Sequence, residues 1–349
     1  MMQMREKRNA VARDCRHSDR MPLFPRWPRF GSLLLAAASL AHTLAEPPAS
    51  PLPNHCEFLR RMPVALFDYA GTLPEADSSV APDRAASPKT PPQLGAAMKL
   101  ALAAAHNDPA LADDCWGAVN SLFAHQTKAG DFGTAPASAA FSLCDLTRSL
   151  LVVQQSPLAG HFQDRIDALK PALVKAAHWL TAQHGRLLWE DRAAPDRLFS
   201  DAEAFLFCGR LLDDPALVKI GRQFLERGMK SYRPADGVFL ENNGPDTNAQ
   251  AATLVRLQEI VLHFPDRQVE ASIAKAAQWE LAQIAADGAV RADGSPHAFP
   301  GSKMLFPQSE KRVNAGEITL GMLYYHERTG DPAALATAEK LHQHYTAPH

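Results

Sequence analysis

Residues 214–237, DPALVKIGRQFLERGMKSYRPADG, hold one helix with a start signal at one end and a turn signal at the other. Asp214 is the kind of residue that caps a helix N-terminus, and Pro215 suits the first helical position, where no backbone N–H is needed. About 22 residues later, Asp236-Gly237 is a dipeptide typical of tight turns. The stretch therefore predicts one unit of a helical repeat.

The start signal recurs along the chain. Asp108-Pro109-Ala110-Leu111 and Asp331-Pro332-Ala333-Ala334 are near copies of the start at 214–217, while Asp266 and Ser156-Pro157 begin weaker versions. Between these signals, apolar residues recur at three- and four-residue spacing, which indicates amphipathic helices. The chain after residue 92 is therefore predicted to be almost entirely helical.

A glycine turn follows four of the five starts. These glycines are separated by 55, 52 and 51 residues: Gly130, Gly185, Gly237 and Gly288. A period of this length predicts stacked helical hairpins, because one hairpin cannot bury its apolar face alone. We predict five hairpins, at 93–126, 137–182, 198–230, 246–283 and 313–348. The alternative is an open solenoid of tetratricopeptide type, whose repeats are shorter at about 34 residues. We expect an all-α fold, an α/α toroid or incomplete barrel of about five hairpins.

The first 92 residues are expected to lie outside the repeat. From Met21 the chain shows a short basic segment, an apolar run over 31–41 and small residues at Thr43 and Ala45, the order of a secretory signal peptide. The apolar run is too short for a membrane span. We expect four segments: residues 1–20, which arise from a start codon placed too early, a signal peptide at 21–45, an N-terminal extension or linker at 46–92 and an α/α-toroid catalytic domain at 93–349. The mature protein is expected in the periplasm or outside the cell.

Charge and cysteine content restrict the partners. Residues 1–45 hold eight of the 36 basic and three of the 38 acidic residues, so the remainder has 28 and 35, a net charge near −7. The sequence has no basic stripe of the kind that indicates nucleic-acid binding. Export allows one or two disulfides, but buried free thiols fit equally well for the four remaining cysteines: Cys56, Cys115, Cys144 and Cys208. We expect a monomer with no cofactor, no metal and no membrane span after signal cleavage.

The repeat length, the predicted export and the polar turns resemble those of α/α-toroid carbohydrate-active enzymes, namely six-hairpin glycoside hydrolases and α/α-toroid polysaccharide lyases. The resemblance covers residues 93–348 as architecture. It does not extend to the Asn-Asn-His helix signature of periplasmic alginate lyases, since Gly244 follows Asn242-Asn243. It implies a polysaccharide or oligosaccharide substrate and a cleft ringed by the N-termini of the inner helices.

The stretch 236–250 carries an unusual density of polar residues and would form one wall of that cleft. Glu241 has no evident role in capping or in a turn, and it follows apolar residues 238–240, which favour partial burial. We therefore predict Glu241 as the proton donor, with Asp201 and Asp131 as further catalytic candidates. The predicted substrate-binding residues are Tyr232, Asn242, Asn243, Asp246, Asn248, Gln250, Trp189, His297, Arg312, Asn314 and Glu317.

These residues fit two reactions. Glycoside hydrolysis needs two carboxyl groups that flank the scissile bond, and the predicted turns supply them. A polysaccharide lyase instead neutralises a uronate with amide or Arg groups and removes a proton with Tyr, His or Lys, for which Tyr232 and His297 are available. The clustered carboxylates favour hydrolysis, because a negative wall repels a uronate chain. A third hypothesis is a non-catalytic glycan-binding or exopolysaccharide-assembly protein.

Several candidates also have ordinary structural explanations. An N-cap role alone explains an acidic residue at a predicted helix start, such as Asp201 or Asp246. Glu317 fits a capping box or a solvated helix face. The sequence leaves these alternatives open.

Overall fold

Helices begin where the sequence signals them. In the computed structural model, which describes residues 54–66, 93–242, 244–291 and 313–346, the carboxylates of Asp108, Asp214 and Asp266 accept hydrogen bonds from backbone N–H groups in the first turns of the helices that follow. These bonds satisfy donors that have no partner inside the helix. Local chemistry therefore sets the helix boundaries.

Within the described ranges, the helices of at least seven residues are α1 His55–Arg61, α2 Gln93–Ala105, α3 Pro109–Ala124, α4 Pro136–Gln155, α5 Ala159–Ala182, α6 His184–Glu190, α7 Pro195–Leu212, α8 Pro215–Met229, α9 Thr247–His263, α10 Arg267–Ala282, α11 Ala315–Thr329 and α12 Pro332–Thr346. The strands are β1 Tyr232–Arg233, β2 Val238–Glu241 and β3 Gly244–Pro245, which pair antiparallel in the order β1-β2-β3.

The all-α prediction is confirmed. Five pairs of helices are joined by turns of two or three residues: α2–α3, α4–α5, α7–α8, α9–α10 and α11–α12. Most residues of α4, α7, α9 and α11 are buried, whereas α5, α8, α10 and α12 bury a narrower set. In each of these four pairs the first helix therefore lies inside and the second outside.

The first helices pack against one another in chain order: α2 on α4, α4 on α7, α7 on α9 and α9 on α11. The short helix α1 contacts α2, α4, α9 and α11, so it touches both the first and the last hairpin. The predicted extension at 46–92 is therefore more than a linker, since its residues 55–61 pack into the core.

Three of the four predicted glycine turns share one packing arrangement. Gly130, Gly237 and Gly288 have positive φ angles of 104°, 74° and 90°. A side chain at any of them would meet the backbone carbonyl of a lysine in the second helix of the next hairpin, as at Lys275 for Gly237. The turns therefore join consecutive hairpins by close backbone contact.

The second turn differs. Gly185 lies inside α6, and a side chain there would meet nothing within 4 Å. The strands at 232–245 were not predicted either, since no stretch of useful length alternates between apolar and polar residues. Both departures lie in connections between hairpins.

Two properties of the buried core bear on the earlier expectations. The four cysteines from Cys56 to Cys208 are buried free thiols. Within the described ranges, α4 is the one helix long and apolar enough to cross a membrane. Of its most apolar 18-residue stretch, 83% is buried inside the protein, as in a core helix.

Candidate functional site

Four inner helices run in the same direction and place polar residues at one depth. Asp145, Glu203, Arg256 and Tyr324 each lie eight or nine residues after the first residue of their helix. Arg256 contacts Asp145 and Glu203, while Tyr324 contacts Glu259, one turn beyond Arg256. The N-termini of α4, α7, α9 and α11 therefore lie at the same end of these helices.

Two arginines connect the carboxylates in this centre. Arg148 donates two hydrogen bonds to Glu259, at 2.8 and 3.0 Å, and lies 3.2 Å from Asp145. Nη1 of Arg256 lies 2.9 Å from Asp145, 3.3 Å from Glu203 and 3.4 Å from Glu259. Buried charges are tolerated because each has a partner of opposite sign. The network holds the inner helices in register.

The charged residues of this centre differ in their exposure to solvent. Glu203 and Glu259 are fully buried, whereas Asp145 and Arg256 retain slight exposure. Burial, followed by the charge of Glu259, raises the pKa of Glu203 well above its ordinary value, and the Cys144 thiol donates to its carboxyl group at 2.8 Å. Glu203 is therefore closed to solvent, while Asp145 and Arg256 keep a small exposed surface.

Glu317 lies at the N-terminal end of the inner helices, in the first turn of α11, and is partly exposed. Nδ2 of Asn314 donates to Oε2 of Glu317 at 2.8 Å, and the Glu317 backbone N–H donates to Oδ1 of Asn314 at 3.1 Å. The Asn314 backbone N–H in turn donates to Oδ1 of Asn248 at 3.0 Å. Three predicted substrate-binding residues therefore form one hydrogen-bonded group.

Burial raises the pKa of Glu317 to about 7. Arg256 acts in the opposite direction, while Asp196, Asp145 and Glu259 raise the pKa further. A carboxyl group with this pKa is partly protonated at neutral pH, which is the requirement for a general acid.

Asp201 lies in the second turn of α7, not at a helix start, because Pro195 begins that helix earlier. Asp201 and Asp191 are buried, and their carboxyl groups share a hydrogen bond in which Asp201 is the donor. Burial, followed by the Asp191 charge, raises the pKa of Asp201 well above its ordinary value. The pair fastens the turn between α6 and α7, where Arg197 lies 3.4 Å from Asp191.

Glu241 ends β2 and is 8% exposed. Asn242, with a φ of 48°, donates its backbone N–H to the Ala193 carbonyl oxygen at 2.9 Å. The tip of the β2–β3 hairpin therefore rests on the α6–α7 turn. Tyr232 on β1 packs against Phe239, with ring centroids 4.8 Å apart, and burial raises the pKa of its hydroxyl group.

Two predicted substrate-binding residues, Gln250 and Asp246, form hydrogen bonds to the backbone. Gln250 is fully buried; its Oε1 accepts from the Phe239 N–H at 3.0 Å, and its Nε2 donates to the Gly237 carbonyl oxygen at 3.0 Å. Asp246 caps α9 by accepting from the Ala249 N–H at 2.9 Å. In this conformation Gln250 has no surface for a ligand.

Asp131 and Trp189 lie in other connections. The Asp131 carboxylate accepts hydrogen bonds from Thr127 and from the Gly133 N–H, both at 2.7 Å, and these bonds lower its pKa. That arrangement stabilises the first glycine turn. Trp189 on α6 is 67% exposed, with the Arg192 guanidinium 4.1 Å from its ring centroid.

Three predicted substrate-binding residues lie outside the described residues: Asn243, His297 and Arg312. Within the described part of the chain, no group of three or more His, Cys, Asp or Glu residues has the geometry to hold a metal ion.

Sequence reasoning missed the central network. Asp145 and Arg148 interrupt the apolar sequence of α4, and Arg256 and Glu259 do the same in α9, each pair three residues apart. Opposite charges at this spacing inside an otherwise apolar helix are the signal that was available, because charged residues are rarely buried unless paired.

The other end of the inner helices is closed by α1. His55 lies 2.6 Å from the Tyr324 hydroxyl and 3.1 Å from Nε2 of His263, and the Tyr324 hydroxyl donates to Glu259 at 3.1 Å. Phe58 stacks on Tyr324 with ring centroids 5.9 Å apart. The inner helices therefore carry partly exposed polar residues at their N-terminal end, which we call the open end, and are covered by α1 at the other, the closed end.

No family model, curated protein or solved structure matches this chain.

Proposed function

We propose that this protein is a secreted or periplasmic carbohydrate-active enzyme that cleaves glycosidic bonds by acid/base hydrolysis. We further propose that its five hairpins form an α/α toroid whose active site lies at the N-termini of the inner helices. One observation carries the proposal: Glu317, partly exposed in the first turn of its inner helix, lies close enough to Asp145, Asp196 and Arg256 of three other inner helices for their charges to act on it.

Carboxyl groups brought together in this way can meet the chemical requirement for hydrolysis. One carboxyl group must donate a proton and a second must activate water or attack the sugar. The described chain offers a proton donor in Glu317, whose pKa is about 7, and further carboxyl groups in Asp145 and Asp196, whose charges act on it. Glu241, the donor predicted from sequence, is a second candidate acid at the same end of the fold.

Two observations weigh against the lyase alternative. Burial raises the pKa of Tyr232, so even less of the phenolate that would act as the base is present at neutral pH. Gln250, one of the amides proposed to neutralise a uronate, already uses its side-chain oxygen and nitrogen in hydrogen bonds to the backbone of Phe239 and Gly237. Hydrolysis is therefore the better-supported reaction.

The test is turnover of a panel of neutral and acidic polysaccharides, read by new reducing ends and by ultraviolet absorbance of unsaturated products. Hydrolysis gives reducing ends without that absorbance. If Glu241 is the donor, Glu241→Gln lowers turnover by a factor of about 100 to 10,000. Glu226→Gln, on the exposed face of α8, is the matched control and should retain activity. Unsaturated products would show a lyase, and binding without turnover would show a glycan-binding protein.

A further inference from the structure

We propose that Glu317 is the residue that protonates the leaving glycosidic oxygen and that Asn314 positions its carboxyl group for this step. This inference rests on the hydrolytic function proposed above. It assigns the donor role to a residue that the sequence indicated only for substrate binding.

Position is the first argument. Glu317 is in the first turn of α11, at the open end of the inner helices, and remains partly exposed. Glu203 and Asp201 also favour the protonated form, but Glu203 is fully buried and Asp201 is 2% exposed. A proton donor must reach its substrate, so Glu317 is the accessible member of this set.

The hydrogen bond from Asn314 is the second argument. Nδ2 of Asn314 holds Oε2 of Glu317, and within the described ranges Oε1 makes no hydrogen bond. The amide group therefore fixes one oxygen as an acceptor and leaves the other to carry the proton. Asn248 supports this arrangement by accepting from the Asn314 backbone N–H.

The surrounding charges are the third argument. Asp145 from α4, Asp196 from α7 and both Arg256 and Glu259 from α9 act on Glu317. The three acids oppose its ionisation and the guanidinium favours it, so together with burial they place its pKa at about 7. Arg256 limits the shift, because its positive charge is fixed among Asp145, Glu203 and Glu259.

The step balances without a cofactor. Glu317 gives its proton to the glycosidic oxygen as the bond between that oxygen and the anomeric carbon breaks. Water adds to the anomeric carbon and passes a proton to a second carboxylate, for which Asp196, in the first turn of α7 and near enough for its charge to act on Glu317, is the candidate. The second carboxylate then releases its proton to solvent and Glu317 takes one up, so one water is consumed and two hydroxyl groups are formed.

The first experiment needs no substrate. Protein labelled with ¹³C at the Glu side-chain carboxyl carbons is titrated by NMR, as wild type and as Glu317→Gln. We expect one carboxyl resonance to titrate near pH 7 in the wild type and to be missing in the variant. A Glu317 resonance that titrates near its ordinary value of 4.5 would overturn the inference.

The second experiment separates acid catalysis from a structural role. On a polysaccharide that the wild type hydrolyses, Glu317→Gln should lower kcat by a factor of about 100 to 10,000. On a dinitrophenyl glycoside of the same sugar the loss should be far smaller, because that leaving group needs no proton. An equal loss on both substrates would assign Glu317 a structural role, and full activity would remove it from the mechanism.

Asn314→Asp tests the positioning role. Aspartate still caps α11 but replaces the amide donor with a negative charge, so the alkaline limb of the pH–rate profile should move to higher pH. An unchanged profile would overturn the role of Asn314. If Glu317 titrates near pH 7 but no polysaccharide is hydrolysed, the hydrolytic function fails, and the donor role fails with it.

Discussion

The two ends of the inner helices contain similar polar groups but treat them differently. At the closed end, His55 and His263 are buried and linked through Tyr324 to Glu259. At the open end, Glu317 accepts a hydrogen bond from the Asn314 side chain and keeps part of its surface exposed. One end therefore provides a fixed support, and the other provides a group able to exchange a proton with a ligand.

Burial acts on both ends in the same physical way, by penalising the charged form. At the closed end burial, with the positive charge of Arg148 as a second cause, lowers the pKa of His55 to about 3, so the imidazole stays neutral. At the open end burial raises the pKa of Glu317 to about 7. The lowered pKa keeps His55 uncharged at neutral pH, whereas the raised pKa gives Glu317 a value suited to an acid catalyst.

The largest predicted effect comes from breaking the link between the two ends. Arg148→Met removes the guanidinium whose Nη1 donates to both carboxylate oxygens of buried Glu259, so we expect a loss of about 3–5 kcal/mol in the free energy of unfolding. Urea denaturation followed by circular dichroism measures it. The double variant Arg148→Met with Glu259→Leu should recover much of the loss, because no unpaired charge remains. A loss below about 1 kcal/mol in the single variant would contradict the role of the network.

The next effect concerns the glycine turns between hairpins. Gly237→Ala places a Cβ 2.6 Å from the Lys275 carbonyl oxygen at a φ of 74°, so we expect a loss of about 2–4 kcal/mol. Gly185→Ala is the matched control. It adds a methyl group to a helix with no atom within 4 Å and should be neutral or stabilising by up to about 1 kcal/mol. Equal losses in thermal or urea unfolding would contradict the distinction between these turns.

The hairpins were predictable because their signals are local. Asp214 caps the helix that Pro215 begins, and Gly237 adopts the positive φ that the following turn requires, so neither signal depends on distant residues. The site was harder, because Arg148 and Glu259 are 111 residues apart and meet only after four helices have packed. No pattern along the chain specifies which buried charges face one another.

Other departures have similar causes. The helix α1 is only seven residues long, and its packing against α9 and α11 depends on residues more than 200 positions away. The β2–β3 hairpin is too short for an alternating pattern to stand out. Glu317 was selected for its type and position, but its pKa of about 7 follows from burial and from charges on three other helices.

A smaller effect is expected from pH at the closed end. His55 has a folded-state pKa of about 3 against an ordinary value of 6.5, so the unfolded chain takes up a proton first as the pH falls. Its contribution to stability is complete above pH 6.5 and is lost as the pH falls toward 3. We expect a loss of about 1–2 kcal/mol between pH 7 and pH 5. His55→Gln should flatten this dependence in urea titrations, and an unchanged slope would contradict the neutral assignment.

The smallest effect has the opposite sign and lies at the open end. Glu317 has a raised pKa, so its contribution to stability is complete below 4.5 and is lost as the pH rises through about 7. At pH 8 the ionised carboxylate is therefore less favourable than a neutral side chain of the same shape. Glu317→Gln should stabilise the protein by about 1 kcal/mol at pH 8, a figure reduced for its partial exposure, and should change little at pH 4.

Glu226→Gln should stay within about 0.5 kcal/mol at both pH values, because that side chain is exposed. Glu317→Gln would then be more stable but less active than the wild type. This combination is expected of a residue whose strained protonation state serves catalysis, because function is commonly maintained at some cost in stability. If Glu317→Gln destabilises the protein at pH 8, the carboxylate is contributing favourable contacts, and the contrast between the two ends is wrong.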